Sequence, residues 1–171
     1  MAEIVTFETS LGDIVIELFS KEAPLSAENF LSYVRAGFYD GTIIHRVIDN
    51  FVLQIGGIES DMSQRPAKPS VKNEADNGLK NELFTVGMGR MGEKDSATSH
   101  FYINLKHNAH LDHRDDSEKR FGYAVFGCVI SGYDTVDRIA KAETKEGVLD
   151  GESYPGLPAE PIFIIRATLN K

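Results

Sequence analysis

Short runs of β-branched and aromatic residues, punctuated by glycine and polar turns, dominate the hydrophobic pattern of the chain. "IVTFET" at 4–9 and "IVIELF" at 14–19 flank Ser10-Leu11-Gly12-Asp13, which predicts a hairpin with a glycine-containing loop. In "APLSAENFLSYVRAG" the period changes. Pro24 suits a first helical turn, Leu25, Phe30, Tyr33 and Val34 recur at near-helical spacing, and Gly37 can supply a left-handed C-terminal cap. Strands are predicted again over 42–48 and 51–55. Residues 57–82 are polar and irregular, a length that marks a functional or tightly wrapped loop. Further strands are predicted in "LFTVGM", "SHFYINL" and "YAVFGCVI". A second helix at Tyr133–Lys141 is opened by Ser131-Gly132, and "PIFIIRATL" is the last strand. These elements predict a mainly β fold, a closed eight-stranded antiparallel barrel with two helices over its open ends. No repeat or linker divides the chain, so residues 1–171 are expected to form a single domain.

One stretch does not read as ordinary core. "IIHRVIDNFVLQIGG", residues 43–57, carries His45, Arg46 and Gln54 inside otherwise apolar strands. Simple alternation puts Ile44, Arg46 and Ile48 on one face and Ile43, His45 and Val47 on the other. Arg46 is then either an edge arginine with its head in water or a guanidinium held rigidly and aimed at a ligand. Phe51 and Gln54 fall on opposite faces unless the Asp49-Asn50 turn or a bulge re-aims one of them, and spacing leaves this open. His45 is expected to be a core histidine with its hydrogen bonds made.

Composition narrows the functional classes. Eighteen basic against 26 acidic residues give a formal net charge of −8, which argues against nucleic acid and anionic membrane surfaces as partners. The lone Cys128 cannot form an internal disulfide and is expected to be a core thiol in a reducing compartment. No signal peptide or membrane span is legible, so a cytoplasmic protein is expected.

Four blocks carry a family likeness: "FYDGTIIHRVIDNFVLQIGG", "KNEADNGLKNELFTVGMGR", "SATSHFYINL" and "FGYAVFGCVISGYDTVDRI". Together, and in this order, they resemble the successive blocks of cyclophilins, the peptidyl-prolyl cis-trans isomerases, and most closely the bacterial cytoplasmic type. The resemblance implies an eight-stranded barrel with two helices and catalysis of rotation about X-Pro bonds in peptides and proteins, without cofactor or metal. It implies that Arg46 stabilises the twisted amide, with Phe51 and Gln54 completing the catalytic group. Val52, Tyr102 and Leu111 would line the proline pocket, with Met88 nearby. The backbone at Gly89-Arg90 would pair with the substrate chain, and His100, His110 and Tyr123 would form the rim. A monomer is implied.

The chain departs from the family at several of these positions. Ile55 stands where glycine is usual, His100 where many members have glutamine, and Tyr102 where phenylalanine is usual. His110 occupies the position of the tryptophan of eukaryotic members, so weak cyclosporin binding is expected, and Tyr123 replaces a histidine, as in the bacterial type. These changes keep a second reading open: a prolyl-peptide binding module or chaperone with little turnover. Other constellations carry less. His107, His110, Asp112 and His113 lie close together, but their spacing matches no metal-ligand motif, and a solvated loop is expected. Ser99-His100 lacks a hydrolase elbow, and "GMGRMG" lacks the helix that a nucleotide site needs.

Overall fold

The computed structural model describes residues 2–171. Ten strands alternate with two α-helices: β1 (Ile4–Thr9), β2 (Gly12–Leu18), α1 (Pro24–Arg35), β3 (Ile44–Ile48), β4 (Val52–Ile55), β5 (Thr85–Met88), β6 (Phe101–Asn104), β7 (Val125–Ser131), α2 (Tyr133–Ala140), β8 (Thr144–Leu149), β9 (Glu152–Pro158) and β10 (Ile164–Leu169). Eight of them form one antiparallel sheet in the order β10-β1-β2-β7-β5-β6-β4-β3. The sheet curls until its two edge strands approach each other. They meet at an isolated bridge, Ile43 to Phe163, and at flanking bonds from Ile44 N to Ile162 O (2.9 Å) and Ile164 N to Thr42 O (2.7 Å). The barrel is therefore a curled sheet pinned at its seam, less completely closed than expected. β8 and β9 form a separate hairpin that the sequence pattern did not predict. It packs on β3, where the Tyr154 hydroxyl donates to His45 O.

The core is aromatic. Phe30 of α1 meets Phe101 edge-on at 5.1 Å, Phe126 at 5.2 Å and Phe7 at 5.9 Å, and Tyr39 closes the group against Phe101 at 5.2 Å. Each pair adds about 0.5–1.5 kcal/mol to the area it buries. On α1 the buried stripe runs through Ala27, Phe30, Leu31 and Val34, whereas Leu25 is exposed rather than part of it. Ala23 provides no side-chain cap. Instead Glu74, far along the chain, accepts from Leu25 N (3.2 Å) and from Ser26 N (2.7 Å). Gly37 adopts φ +68°, and its amide bonds Val34 O while Phe38 N bonds Tyr33 O, the paired closure of a Schellman end. Cys128 is half-buried beside Glu17 on β7 rather than in the core.

The 57–82 segment is wrapped onto the barrel by its polar groups. Arg65 donates to Phe38 O (2.9 Å) and Asp40 O (2.7 Å), Lys68 N donates to the Tyr33 hydroxyl (2.8 Å), and Asn73 Nδ2 reaches Lys94 O and Gly122 O. Phe30→Ala removes the ring on which the aromatic core converges. Urea denaturation is expected to report a loss of about 3–5 kcal/mol.

Candidate active site

A bulge turns the key side chain outward. Along β3 and β4, Ile44 faces Ile55 and Arg46 faces Gln54, so His45 is an extra residue without a partner. Ile44 and Val47 then join the core with Leu53 and Ile55, while Arg46 and Gln54 lie on the outer face. Ile44 and Arg46 therefore do not share a face, contrary to simple alternation. The row continues across β6 and β5, with Gln54 opposite Tyr102 and Tyr102 opposite Gly87. A Cβ at Gly87 would lie 2.4 Å from the Tyr102 hydroxyl, so the missing side chain is what lets Tyr102 lie flat there.

Two regions adjoin along this row. One is an apolar cup with Val52, Tyr102 and Leu111 buried as its floor and Phe51 and Tyr123 packed against it. His110 stacks on Phe51 at 5.6 Å and 26°. Beside the cup, a groove of about 390 Å³ is lined by Arg46, Gln54, Arg90, His100, Tyr123 and Asp150, among others. Arg46 stands between the two. Its Nη1 donates to Gln54 Oε1 (3.2 Å), its guanidinium carbon lies 5.8 Å from the Phe51 ring centre, and its buried Nε has no partner among the described residues. Phe51, at the end of the Asp49-Asn50 turn, and Gln54 each lie beside the Arg46 guanidinium. Phe51 N bonds Ile48 O at 3.0 Å across the turn, and Asn50 is left-handed at φ 60°.

Arg90 forms one wall of the groove. Its guanidinium lies over the Tyr123 ring at 5.1 Å, and Nη2 donates to Glu118 O (2.8 Å). Gly89 N bonds His100 O at 2.9 Å. The opposite wall is the tip of the β8–β9 hairpin, Leu149 and Asp150, which Gln64 Nε2 ties down through Asp150 Oδ2 (2.7 Å). Gln64, Leu149 and Asp150 escaped the sequence reading, although the Asp150-Gly151 pair, both left-handed, is a recognisable hairpin-turn signal. Met88 lies apart from the cup: it pairs with Phe101 and is buried in the core. Ile55 also faces the core, so its β-branched side chain does not intrude on the site. The close approach occurs one residue later, where a Cβ on Gly56 would sit 2.6 Å from the His100 ring.

His45 and His100 pack edge-on at 5.1 Å. Burial, helped by His100 and Arg46, holds His45 down to about 3, and burial also lowers His100. Two neutral rings thus back the guanidinium without adding positive charge. His45 is buried, as expected, but its Nδ1 has no partner among the described residues. The His107–His113 run disperses: His110 goes to Phe51, Asp112 to Asn81, and His113 Nδ1 to Phe121 O (2.8 Å).

An eight-stranded antiparallel barrel with an apolar cup and a neighbouring guanidinium on its outer face defines a cyclophilin-like protein. The chain belongs to the cyclophilin family: the family model "Cyclophilin type peptidyl-prolyl cis-trans isomerase/CLD" matches residues 4–168. It is 47% identical over 167 residues to peptidyl-prolyl cis-trans isomerase A of Dickeya dadantii, covering 98% of this chain and 84% of that one. It is 43% identical over 170 residues to peptidyl-prolyl cis-trans isomerase B of Escherichia coli, covering 98% and 100%. A Cryptosporidium parvum cyclophilin-type isomerase, crystallised in the presence of the dipeptide Ala-Pro, shares the fold at a TM-score of 0.79 and 21% identity, covering 98% of this chain and 99% of that one. Among the described residues, no helix is long and apolar enough to cross a membrane.

The buried histidine makes stability depend on pH. His45 stays neutral in the folded state down to about 3 but takes up a proton near the ordinary histidine value of 6.5 when unfolded. The unfolded state then binds more protons, so the stability that this group contributes is complete above 6.5 and falls as pH drops toward 3. Urea midpoints measured from pH 7 to pH 4 are expected to decline, and less steeply in His45→Leu.

Proposed function

We propose that this cyclophilin, a peptidyl-prolyl cis-trans isomerase, holds the proline ring of its substrate in the cup of Phe51, Val52, Tyr102 and Leu111 while Arg46 stabilises the rotating bond. Amide resonance sets a barrier of about 18–20 kcal/mol to that rotation. As the bond twists, the proline nitrogen loses conjugation and gains a lone pair. A donor aimed at that nitrogen binds the twisted amide more strongly than the planar one, which is the condition for catalysis. The position of Arg46 carries this reading: it lies at the boundary of cup and groove with a buried Nε that has no acceptor among the described residues. Gln54 orients the guanidinium through Nη1. The groove between Arg90 and the hairpin tip takes the chain that flanks the proline, pairing with the backbone at Gly89-Arg90. His100, His110 and Tyr123 border it.

This reading needs no bond to be made or broken, so the residues of the chain suffice. A monomer acting on proline-containing segments of proteins in a reducing cytoplasm fits the net charge of −8 and the single cysteine. His110, smaller than the tryptophan of eukaryotic relatives, supports weak cyclosporin binding. The alternative, a prolyl-binding module without turnover, finds less support now that Ile55 faces the core and the guanidinium lies at the cup.

Exchange NMR on a short X-Pro peptide tests the proposal. Wild-type protein is expected to accelerate cis-trans exchange well above background. Arg46→Ala is expected to lose about 10²–10³-fold of the catalysed rate, the effect typical of removing one preorganised donor, while still binding the peptide. Binding without acceleration in the wild type would select the module reading.

A further inference from the structure

Beneath the apolar skin of the cup lies a chain of amides. Asn81, Asn104 and Asn108 have no exposed surface. Asn108 Nδ2 donates to Asn104 Oδ1 (2.8 Å), Asn104 Nδ2 to Asn81 Oδ1 (3.1 Å), and Asn81 Nδ2 to Asp112 Oδ1 (3.1 Å). The three amides therefore run head to tail and end on a carboxylate, which also accepts Asn81 N at 2.7 Å. Such a chain polarises along its length, and a carboxylate at its end strengthens the final bond. Turning any one amide over would set two NH₂ groups or two carbonyls against each other, so the orientation of each is fixed by its neighbours.

The amides of this chain bond three of the cup's apolar residues, Phe51, Tyr102 and Tyr123, and the backbone of Asn108 bonds a fourth, Leu111. Asn108 Nδ2 also donates to Phe51 O (2.9 Å), and Asn108 O accepts Leu111 N (2.9 Å). Asn81 Oδ1 accepts the Tyr102 hydroxyl (2.6 Å), and Asn81 Nδ2 reaches Tyr123 O (3.4 Å). Asn104 is anchored in turn by Thr85 Oγ1 (2.9 Å) and bonds none of these walls through its side chain. Amides are costly to bury, and an apolar floor would need no such network. Their placement is explained if they fix Phe51, Tyr102 and Tyr123 relative to one another, and hence relative to Arg46, whose guanidinium lies against Phe51.

We infer that Asn81, Asn104 and Asn108 are positioning residues for isomerisation: they hold the cup so that a bound proline nitrogen meets Arg46. This inference rests on the cup and Arg46 acting as proposed above. It predicts a particular division of effects. Binding of the ring comes from apolar burial and tolerates small shifts of the walls. Rotation needs the nitrogen aligned with the guanidinium, and misplacement by about 1 Å can cost about 10²-fold. Loosening the chain is therefore expected to lower turnover more than affinity.

The experiment compares Asn104→Leu, which breaks the chain at its middle without changing its bulk greatly, with wild type and Arg46→Ala. Catalysed exchange at saturating X-Pro peptide and the peptide Kd are measured by NMR on the same samples. The expected result is exchange reduced about tenfold or more, a Kd changed less than threefold, and an Arg46 Nε–H signal shifted or broadened in a protein whose other amide resonances persist. Asn108→Ser, a milder break that keeps one short donor, is expected to lose about three- to tenfold of the exchange. Exchange within twofold of wild type in a folded Asn104→Leu or Asn108→Ser protein would overturn the inference. So would equal losses of exchange and affinity, which assign the chain to stability alone. Should Asn104→Leu fail to fold, Asn108→Ser decides on the same two measurements. Absence of catalysed exchange in the wild type would instead remove the isomerase reading itself, and this inference with it.

Discussion

One additional residue in β3 sets the terms for the rest of the site. A regular strand would place Arg46 on the same face as Ile44, inside an aromatic core where an unpaired guanidinium is prohibitively costly. The bulge at His45 reverses the alternation at that point, so the core keeps Ile44 and Val47 while the guanidinium emerges beside the cup. The extra residue must itself be accommodated. His45 is buried with an Nδ1 that has no partner among the described residues and is held neutral down to about 3, so the cost of aiming the arginine appears as a sensitivity of the fold to acid.

Polar atoms are concentrated immediately behind the most apolar surface of the site. Val52, Tyr102 and Leu111 present carbon to the cup, yet the Tyr102 hydroxyl and the backbone of Phe51 and Leu111 are bonded into buried asparagines. A greasy floor alone would hold a ring by area and allow it to slide. Directional bonds behind that floor fix where the walls stand. The phenol of Tyr102 belongs to this second layer, and its burial keeps the hydroxyl protonated far above the usual tyrosine range, able to donate.

Much of this was legible in the chain, for reasons that can be stated. The eight strands of the sheet and both helices are legible for different reasons: β1 and β2 alternate because one face is buried and the other wetter, whereas β6, buried throughout, shows only as a short β-branched and aromatic run. The β8–β9 hairpin did not, since "TKEGVLDGESYPGLP" packs mainly through its backbone and Tyr154 and buries only a few of its side chains. Leu25 recurs at the spacing of the buried stripe yet is exposed, because spacing counts an apolar residue without asking what covers it. The direction of Arg46 was beyond spacing altogether: a bulge is a single-residue slip, and no alternating pattern records where it falls. Ile55 posed the reverse difficulty, as a substitution that looks obstructive in sequence turns its side chain away from the site.

The remote cap on α1 has a bearing on how the chain is held together. Twelve residues are at the short end for a helix to persist alone in water. The leading amides of Leu25 and Ser26 find their acceptor in Glu74, 49 positions beyond Leu25. Helix and wrapped loop are therefore coupled through one side chain: Glu74→Ala would leave every core contact of α1 in place yet free the leading amides of its first turn. Hydrogen exchange at Leu25 and Ser26 would register that change although it lies 49 positions away along the chain.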